Sequence, residues 1–83
     1  MCSRGDLARA TPDELAELAE AAVGALARRA DPAAFEHLLR LVRVTGECVG
    51  VAARTMAEQT SWAGVADIAG TSRQAAWERW RMR

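Results

Sequence analysis

The sequence predicts an all-α protein with four helices: two N-terminal helices, the second of them long, and two short helices at the C-terminus. Three observations support this class. Proline is rare, and both prolines, at positions 12 and 32, stand where a helix can begin. No stretch shows the composition or alternation of a β-strand, and apolar residues recur at helical spacing. The chain of 83 residues makes one helical domain, 1–83.

The first helix is predicted over residues 12–30. Thr11 is expected to cap it, Pro12 fits the first helical position, and Glu14 can reach back to the amide of the cap. These residues form a capping box, which marks the start of a helix. One apolar stripe of this helix is expected to face inward, formed by Leu15, Leu18, Ala22, Ala25 and Leu26.

A long helix is predicted over residues 32–58, because Asp31-Pro32 repeats the cap-and-proline signal and no proline follows. Its first apolar stripe consists of Phe35, Leu38, Val42, Val49, Ala52 (or Ala53) and Met56. Its second apolar stripe consists of Leu41, Val44, Cys48, Val51 and Thr55. A helix that is apolar on two sides is buried on both. We expect the first stripe to face the rest of the chain and the second to form a dimer interface with another copy.

Two glycines lie in the middle of this helix. The spacing Gly46-x-x-x-Gly50 would permit close approach of another helix. Alternatively, Thr45-Gly46 breaks or bends the helix, since a mid-helix glycine costs about 1 kcal/mol. Opposite charges also stand four residues apart, where they could pair along the helix. These pairs are Glu36–Arg40, Arg43–Glu47 and Arg54–Glu58.

The C-terminal stretch, residues 61–82, predicts two short helices joined by a tight turn at Gly70, which can take the left-handed conformation that ends a helix. Thr71 or Ser72 can cap the following helix, and Thr71-x-x-Gln74 fits a capping box. The inner faces of the two helices are expected to carry Trp62, Val65, Ala66 and Ala69, and then Ala76 and Trp80. This arrangement predicts a helix-turn-helix.

The same stretch resembles a known family. The residues Ser61-Trp62-Ala63 and Ala69-Gly70-Thr71-Ser72-Arg73-Gln74-Ala75-Ala76-Trp77-Glu78-Arg79-Trp80 resemble helix-turn-helix segments of small bacterial DNA-binding regulators. They are more distantly similar to the tri-helical DNA-reading region 4 of sigma factors. Ala69 and Thr71 depart from the family pattern, in which both positions usually carry larger aliphatic residues. The resemblance implies a last helix that reads the major groove of double-stranded DNA.

The candidate DNA-binding residues lie on one face of the last helix and at the starts of the two short helices. Arginine, glutamine and glutamate can read guanine, adenine and cytosine, and hydroxyls at helix starts can meet phosphate. The expected set is Ser61, Thr71, Ser72, Arg73, Gln74, Trp77, Glu78 and Arg81, with Arg83 as a further phosphate contact. Alternatively, Trp77 packs beneath the long helix, and the C-terminal arginines are only a solvated chain end.

Charge is balanced overall but unevenly distributed. The chain has eleven arginines and eleven acidic residues, and lysine is absent. Residues 1–36 hold four arginines and seven acids, whereas residues 37–83 hold seven arginines and four acids. A basic C-terminal half is expected if that end faces phosphate.

The sequence shows no pattern typical of an enzyme or of a metal-binding protein. No carboxylate pair, nucleophile-and-base set, phosphate loop or metal-ligand spacing is present, so we expect no enzyme, no cofactor and no metal. His37 is expected to be an ordinary packed or partly exposed side chain. Cys2 and Cys48 are expected to be reduced thiols in a cytoplasmic protein. No signal peptide and no apolar run of membrane-spanning length is seen.

The sequence therefore favours a homodimeric transcription regulator that binds specific DNA sequences through its last helix. The alternative is a helical protein-interaction module, such as an adaptor for RNA polymerase, a sigma factor or another regulator, without direct DNA contact.

Overall fold

The computed structural model describes residues 4–82, and every regular element among them is an α-helix. The helices are α1 (Arg4–Arg9), α2 (Pro12–Arg29), α3 (Pro32–Gln59), α4 (Trp62–Ala69) and α5 (Arg73–Trp80). The all-α class is confirmed. The predicted number of helices was four, and the additional one is α1, a single short helix ahead of the capping box.

Helix α2 begins as the sequence predicts. The backbone N–H of Glu14 donates to Thr11 Oγ1 at 3.2 Å, and the N–H of Thr11 donates to Glu14 Oε1 at 3.1 Å. These reciprocal bonds are the predicted capping box, with Pro12 in the first turn. Hydrogen bonds from the backbone and then the side chain of Thr11 lower the pKa of the Glu14 carboxyl from its ordinary value.

The connection from α2 to α3 is short and fully specified by local bonds. Ala30 takes the left-handed conformation, with φ of 51°, and ends α2. Asp31 then caps α3, since its Oδ1 accepts from the N–H of Ala34 at 2.8 Å. The other oxygen of Asp31 accepts from Arg29 Nε at 3.1 Å. The predicted cap-and-proline start of α3 is therefore confirmed.

The prediction that one apolar stripe of α2 faces inward is wrong. No residue of α2 is buried, and Leu15 and Leu18 are 38% and 46% exposed. Ala22 and Ala25 are exposed and Leu26 is half-buried. The helical spacing correctly places these apolar residues on one face, but spacing alone cannot supply an element to cover that face.

Helix α3 runs unbroken through Gly46, so the alternative of a break at Thr45-Gly46 is wrong. We expected the first apolar stripe of α3 to be covered by the rest of the chain. This expectation is correct only toward the C-terminal end of the helix. Ala53 is buried and Met56 is half-buried, whereas Phe35, Val42 and Val49 are 60%, 74% and 45% exposed. Leu38 is half-buried and Ala52 is exposed, so Ala53 is the inward member of that pair. The described contacts on this stripe come from the two short helices, each of only eight residues.

The three four-residue charge pairs predicted along α3 do not form. An ion pair that does form within 4.0 Å joins Arg29 and Asp31, ahead of α3. Exposed pairs of this kind gain little because water screens them and ordering two long side chains costs entropy. Arg54 instead donates to backbone carbonyls at the end of α5.

The chain divides into two compact units, Met1–Arg40 and Leu41–Arg83. The first contains α1, α2 and the start of α3, with an open groove of about 540 Å³ along α1 and the first half of α2. The second contains the rest of α3 with α4 and α5. Its core consists of Ala53, Val65, Ala66 and Ala76, flanked by Met56, Ala57, Trp62 and Trp80. That the chain functions as one domain over 1–83 stays a prediction.

Within residues 4–82, no helix combines the length and the apolar character needed to cross a bilayer.

The open surroundings of Gly46 can be tested by a substitution to alanine. Gly46 is exposed and helical, and a Cβ there would meet nothing within 4 Å. Gly46→Ala should therefore raise the free energy of unfolding by about 0.5–1 kcal/mol, because alanine loses less backbone entropy. Thermal and urea unfolding measure this change. A lower stability would mean instead that position 46 lies against another helix, as between two copies of the chain.

Candidate nucleic-acid interface

Helix α4 starts at a serine cap. Ser61 has extended backbone angles, and its Oγ accepts from the N–H of Gly64 at 3.1 Å. The cap satisfies one of the free amides at the helix start. The Ser61 hydroxyl keeps its own hydrogen available for donation to an acceptor outside the chain.

The turn between α4 and α5 is a Schellman motif centred on Gly70. Gly70 has φ of 68° and ψ of 36°, which confirms the predicted left-handed glycine. The N–H of Thr71 donates to the carbonyl of Ala66 at 3.0 Å, and that of Gly70 donates to Asp67 at 3.4 Å. These two bonds close the last turn of α4 and fix the direction in which the chain leaves it.

Helix α5 is capped by Ser72, one of the two predicted candidates. Ser72 is extended, and its Oγ accepts from the N–H of Ala75 at 3.1 Å. The predicted capping box of Thr71 with Gln74 is therefore wrong. The physical reason is that the Schellman motif engages the amide of Thr71, so one more residue is needed before the next helix begins.

Small side chains let α4 and α5 cross closely, as predicted. Ala76 is completely buried, and Val65 and Ala66 are 5% and 3% exposed. Trp62 and Trp80 are half-buried and flank this core. Ala69, also predicted to face inward, is exposed. It lies in the last turn of α4, beyond the Val65–Ala66 pair that is covered.

Two side-chain pairs lie on the exposed side of α5 and at its C-terminal end. Gln74 Nε2 donates to Glu78 Oε1 at 3.3 Å. The guanidinium of Arg81 lies 4.4 Å from the ring centroid of Trp77, a cation–π contact. Trp77 is 43% exposed and lies outside the core, so the alternative in which it packs beneath the long helix is not what the structure has. Both pairs order long side chains on the outer surface.

The structure places every predicted DNA-binding residue within 4–82 at the surface. These residues are Ser61, Thr71, Ser72, Arg73, Gln74, Trp77, Glu78 and Arg81. Arg73, Gln74, Trp77 and Glu78 belong to α5, Arg81 follows it directly, and the three hydroxyl residues stand at or beside helix starts. Arg83 lies outside the described residues.

One residue of this region was missed by sequence reasoning. Arg54 Nη1 donates to the carbonyl of Trp80, the last residue of α5, at 3.0 Å, and to the carbonyl of Met82, just beyond the helix, at 2.9 Å. The sequence suggested only a pair with Glu58, four residues along the same helix. No local pattern could indicate a partner 26 or 28 positions away.

The residues of the predicted dimer interface on α3 are partly exposed to solvent. Leu41 and Val44 are half-buried, whereas Cys48, Val51 and Thr55 are exposed. Val51 is 57% exposed. The hydroxyl of Thr55 donates to the carbonyl of Val51 at 3.0 Å, so this polar group is satisfied within the helix. Cys48 is a free thiol, and Cys2 lies outside the described residues.

No group of three or more His, Cys, Asp or Glu side chains within residues 4–82 could hold a metal ion. His37 is exposed on α3.

Comparison with known proteins adds no further assignment. No protein-family model matches the chain, and searches of curated proteins and of solved structures found no match.

The Gly70 turn can be tested by substitution. Gly70→Val should destabilise the second unit, because a β-branched side chain is strongly disfavoured at positive φ. No atom lies within 4 Å of a Cβ at this position, so the cost arises from the backbone and not from a clash. Gly70→Asn is the matched control, since asparagine tolerates the left-handed region. Equal melting temperatures for the two variants would contradict the expectation.

Proposed function

We propose that this protein is a bacterial, cytoplasmic, sequence-specific DNA-binding regulator of transcription that acts as a homodimer and reads the major groove with α5. The observation that carries the proposal is the division of α5 into two faces. Ala76 and Trp80 attach it to the core, while Arg73, Gln74 and Trp77 remain at the surface.

The chemistry of the outer face suits base recognition. Arginine can donate two hydrogen bonds to guanine, and the glutamine amide matches adenine in the major groove. Gln74 is paired with Glu78 in the free protein, so DNA binding would exchange this bond for one to a base. Glu78 could then accept from cytosine, and it would disfavour a phosphate at the same place.

The surroundings of α5 suit phosphate. The amide-rich start of α4 and the hydroxyls of Ser61, Thr71 and Ser72 lie at or beside helix N-termini, where anions are favoured. Arg79 and Arg81 add positive charge at the other end of α5. Phosphate contacts of this type position a protein, and the base contacts then specify the sequence.

A second function has its own support. The chain has no net charge, and large apolar side chains stand at the surface of the helix-turn-helix region. Ile68 on α4 is 77% exposed and Met82 is 69% exposed. These features favour a protein-interaction module that binds RNA polymerase, a sigma factor or another regulator without contacting DNA. Exposed apolar residues at such positions suit a protein partner.

A DNA-binding measurement separates the two functions. Genomic fragments retained by the protein at low salt would supply the best site. Gln74→Ala should then weaken binding to that site by about 1–3 kcal/mol and flatten discrimination at one base pair. Arg83→Ala should weaken all sequences about equally and lower the salt slope by about one unit. Affinity and sequence preference are read by titration at several salt concentrations.

Glu36→Ala is a suitable control, because Glu36 is an exposed charge on α3 outside the proposed interface. It should leave the sequence preference intact. If Gln74→Ala and Arg73→Ala both leave affinity and preference unchanged, α5 does not read DNA, and the interaction module becomes the better proposal. A dimeric regulator should protect two half-sites roughly 34–36 Å apart, or a multiple of that distance.

The homodimer has a separate test. The proposed interface comprises Leu41, Val44, Cys48, Val51 and Thr55 on α3. Val51→Glu should convert the dimer to monomer, because an unpaired carboxylate would be buried in the interface. Val42→Glu is the matched control, since Val42 is 74% exposed and belongs to the other stripe of α3. Light scattering at tens of micromolar measures the mass. A monomer for the unaltered protein would refute the homodimer.

A further inference from the structure

Arg54 joins the long helix to the end of the last one. It is half-buried on α3, and a single nitrogen, Nη1, donates to two carbonyls, those of Trp80 and Met82. Both bonds, at 3.0 and 2.9 Å, have lengths typical of N–H···O hydrogen bonds. The contact lies within the second unit, along a groove of about 840 Å³ between α3 and the chain end.

The end of α5 needs such a partner. An α-helix leaves its last four carbonyls without an intrahelical donor, and its C-terminus carries partial negative charge. Helix α5 has eight residues, too few to be stable without tertiary contacts. A guanidinium at this point both satisfies carbonyls and places positive charge at the negative end of the helix.

The absence of a side chain at Gly50 leaves space beside the guanidinium of Arg54. Gly50 is buried one turn before Arg54 on α3, and a Cβ at position 50 would lie 3.2 Å from Arg54 Nη1. A methyl group at position 50 would therefore crowd the guanidinium and shift Nη1 by a few tenths of an ångström. Gly46, by contrast, has open space around it. Gly50 thus has a role inside the chain, distinct from the helix-approach role expected of the Gly46–Gly50 pair.

We propose that Arg54 is a positioning residue for DNA recognition, which holds the last turn of α5 and thereby sets the placement of Trp77 and Arg81. This inference rests on the proposed function. Arg81 follows the last turn directly, its N–H donates to the carbonyl of Trp77, and its guanidinium stacks on that ring. Arg54 itself donates inward, to the protein backbone.

The two ends of α5 are therefore held by different contacts. Ser72 caps the start, beside Arg73 and Gln74. Arg54 holds the end, beside Arg81. Loss of Arg54 should disturb only the second half of the reading surface, which distinguishes positioning from a general loss of stability.

The test uses Arg54→Met, which keeps an apolar stem but has no hydrogen-bond donor. Two readouts are expected to change. Amide hydrogen exchange of Arg81 should become faster, while that of Ala76, whose N–H donates to the carbonyl of Ser72, stays as in the unaltered protein. Affinity for the best DNA site should fall roughly tenfold. Discrimination should be lost at the base pairs near Arg81 and kept at the base pair that Gln74→Ala affects.

Three matched variants complete the design. Arg54→Lys should restore both readouts in part, because one ammonium can donate to both carbonyls. Gly50→Ala should shift both in the direction of Arg54→Met, since its Cβ crowds Nη1. Val65→Ala removes buried methyl groups from the core of α4 and should lower the melting temperature without selective loss at one half of the site.

The outcomes separate the inference from the function on which it rests. If the unaltered protein retains no DNA fragment, the proposed function fails, and the DNA-positioning role of Arg54 fails with it. If the unaltered protein binds DNA but Arg54→Met leaves Arg81 exchange or base discrimination unchanged, only the Arg54 inference is overturned. Equal loss of discrimination along the whole site, matching Val65→Ala, also overturns it by showing a purely structural role.

Discussion

The second unit depends on the close contact of α5 with α4 and α3 at Ala76. This side chain is completely buried, and its buried neighbours Ala53, Val65 and Ala66 are also small. The limited volume of these residues lets the backbones of α4 and α5 approach closely, and Trp62 and Trp80 pack against this core. Because each short helix has only two turns, this contact stabilises elements that would not persist alone.

Backbone polar groups at the helix ends provide the second constraint. Thr11, Asp31, Ser61 and Ser72 each accept from an amide at a helix start. At the other ends, Ala30 and Gly70 take left-handed conformations. These caps fix the starts of α2 to α5, and the left-handed residues end α2 and α4. The start at Ser72 sets the register in which the side chains of α5 face toward or away from the core. The proposed recognition surface follows from this register.

The caps and helix limits could be predicted because their causes lie within a few residues of sequence. Thr11, Pro12 and Gly70 are examples, and the bounds of α2 and α3 agree with expectation to within one residue. The exposed face shared by the candidate residues of α5 was predictable for the same reason, since residues at helical spacing share a face. That these residues bind DNA stays a prediction. The failures at Ala69, Phe35 and Val42 have another cause. Apolar spacing identifies a face, but whether that face is covered depends on the length and direction of distant elements.

The sequence by itself determined helices α2 to α5, the caps at Thr11 and Asp31 and the outward face of α5, because these depend on local hydrogen bonding and on the helical repeat. Only the tertiary structure decided which apolar faces are covered, and that the Arg54 guanidinium lies beside Gly50. The tertiary structure also decided that Arg54 donates to carbonyls at the end of α5 and not to Glu58, four residues along the same helix. A guanidinium on a long side chain can reach many acceptors, and the packing of α5 against α3 selects which of them it meets.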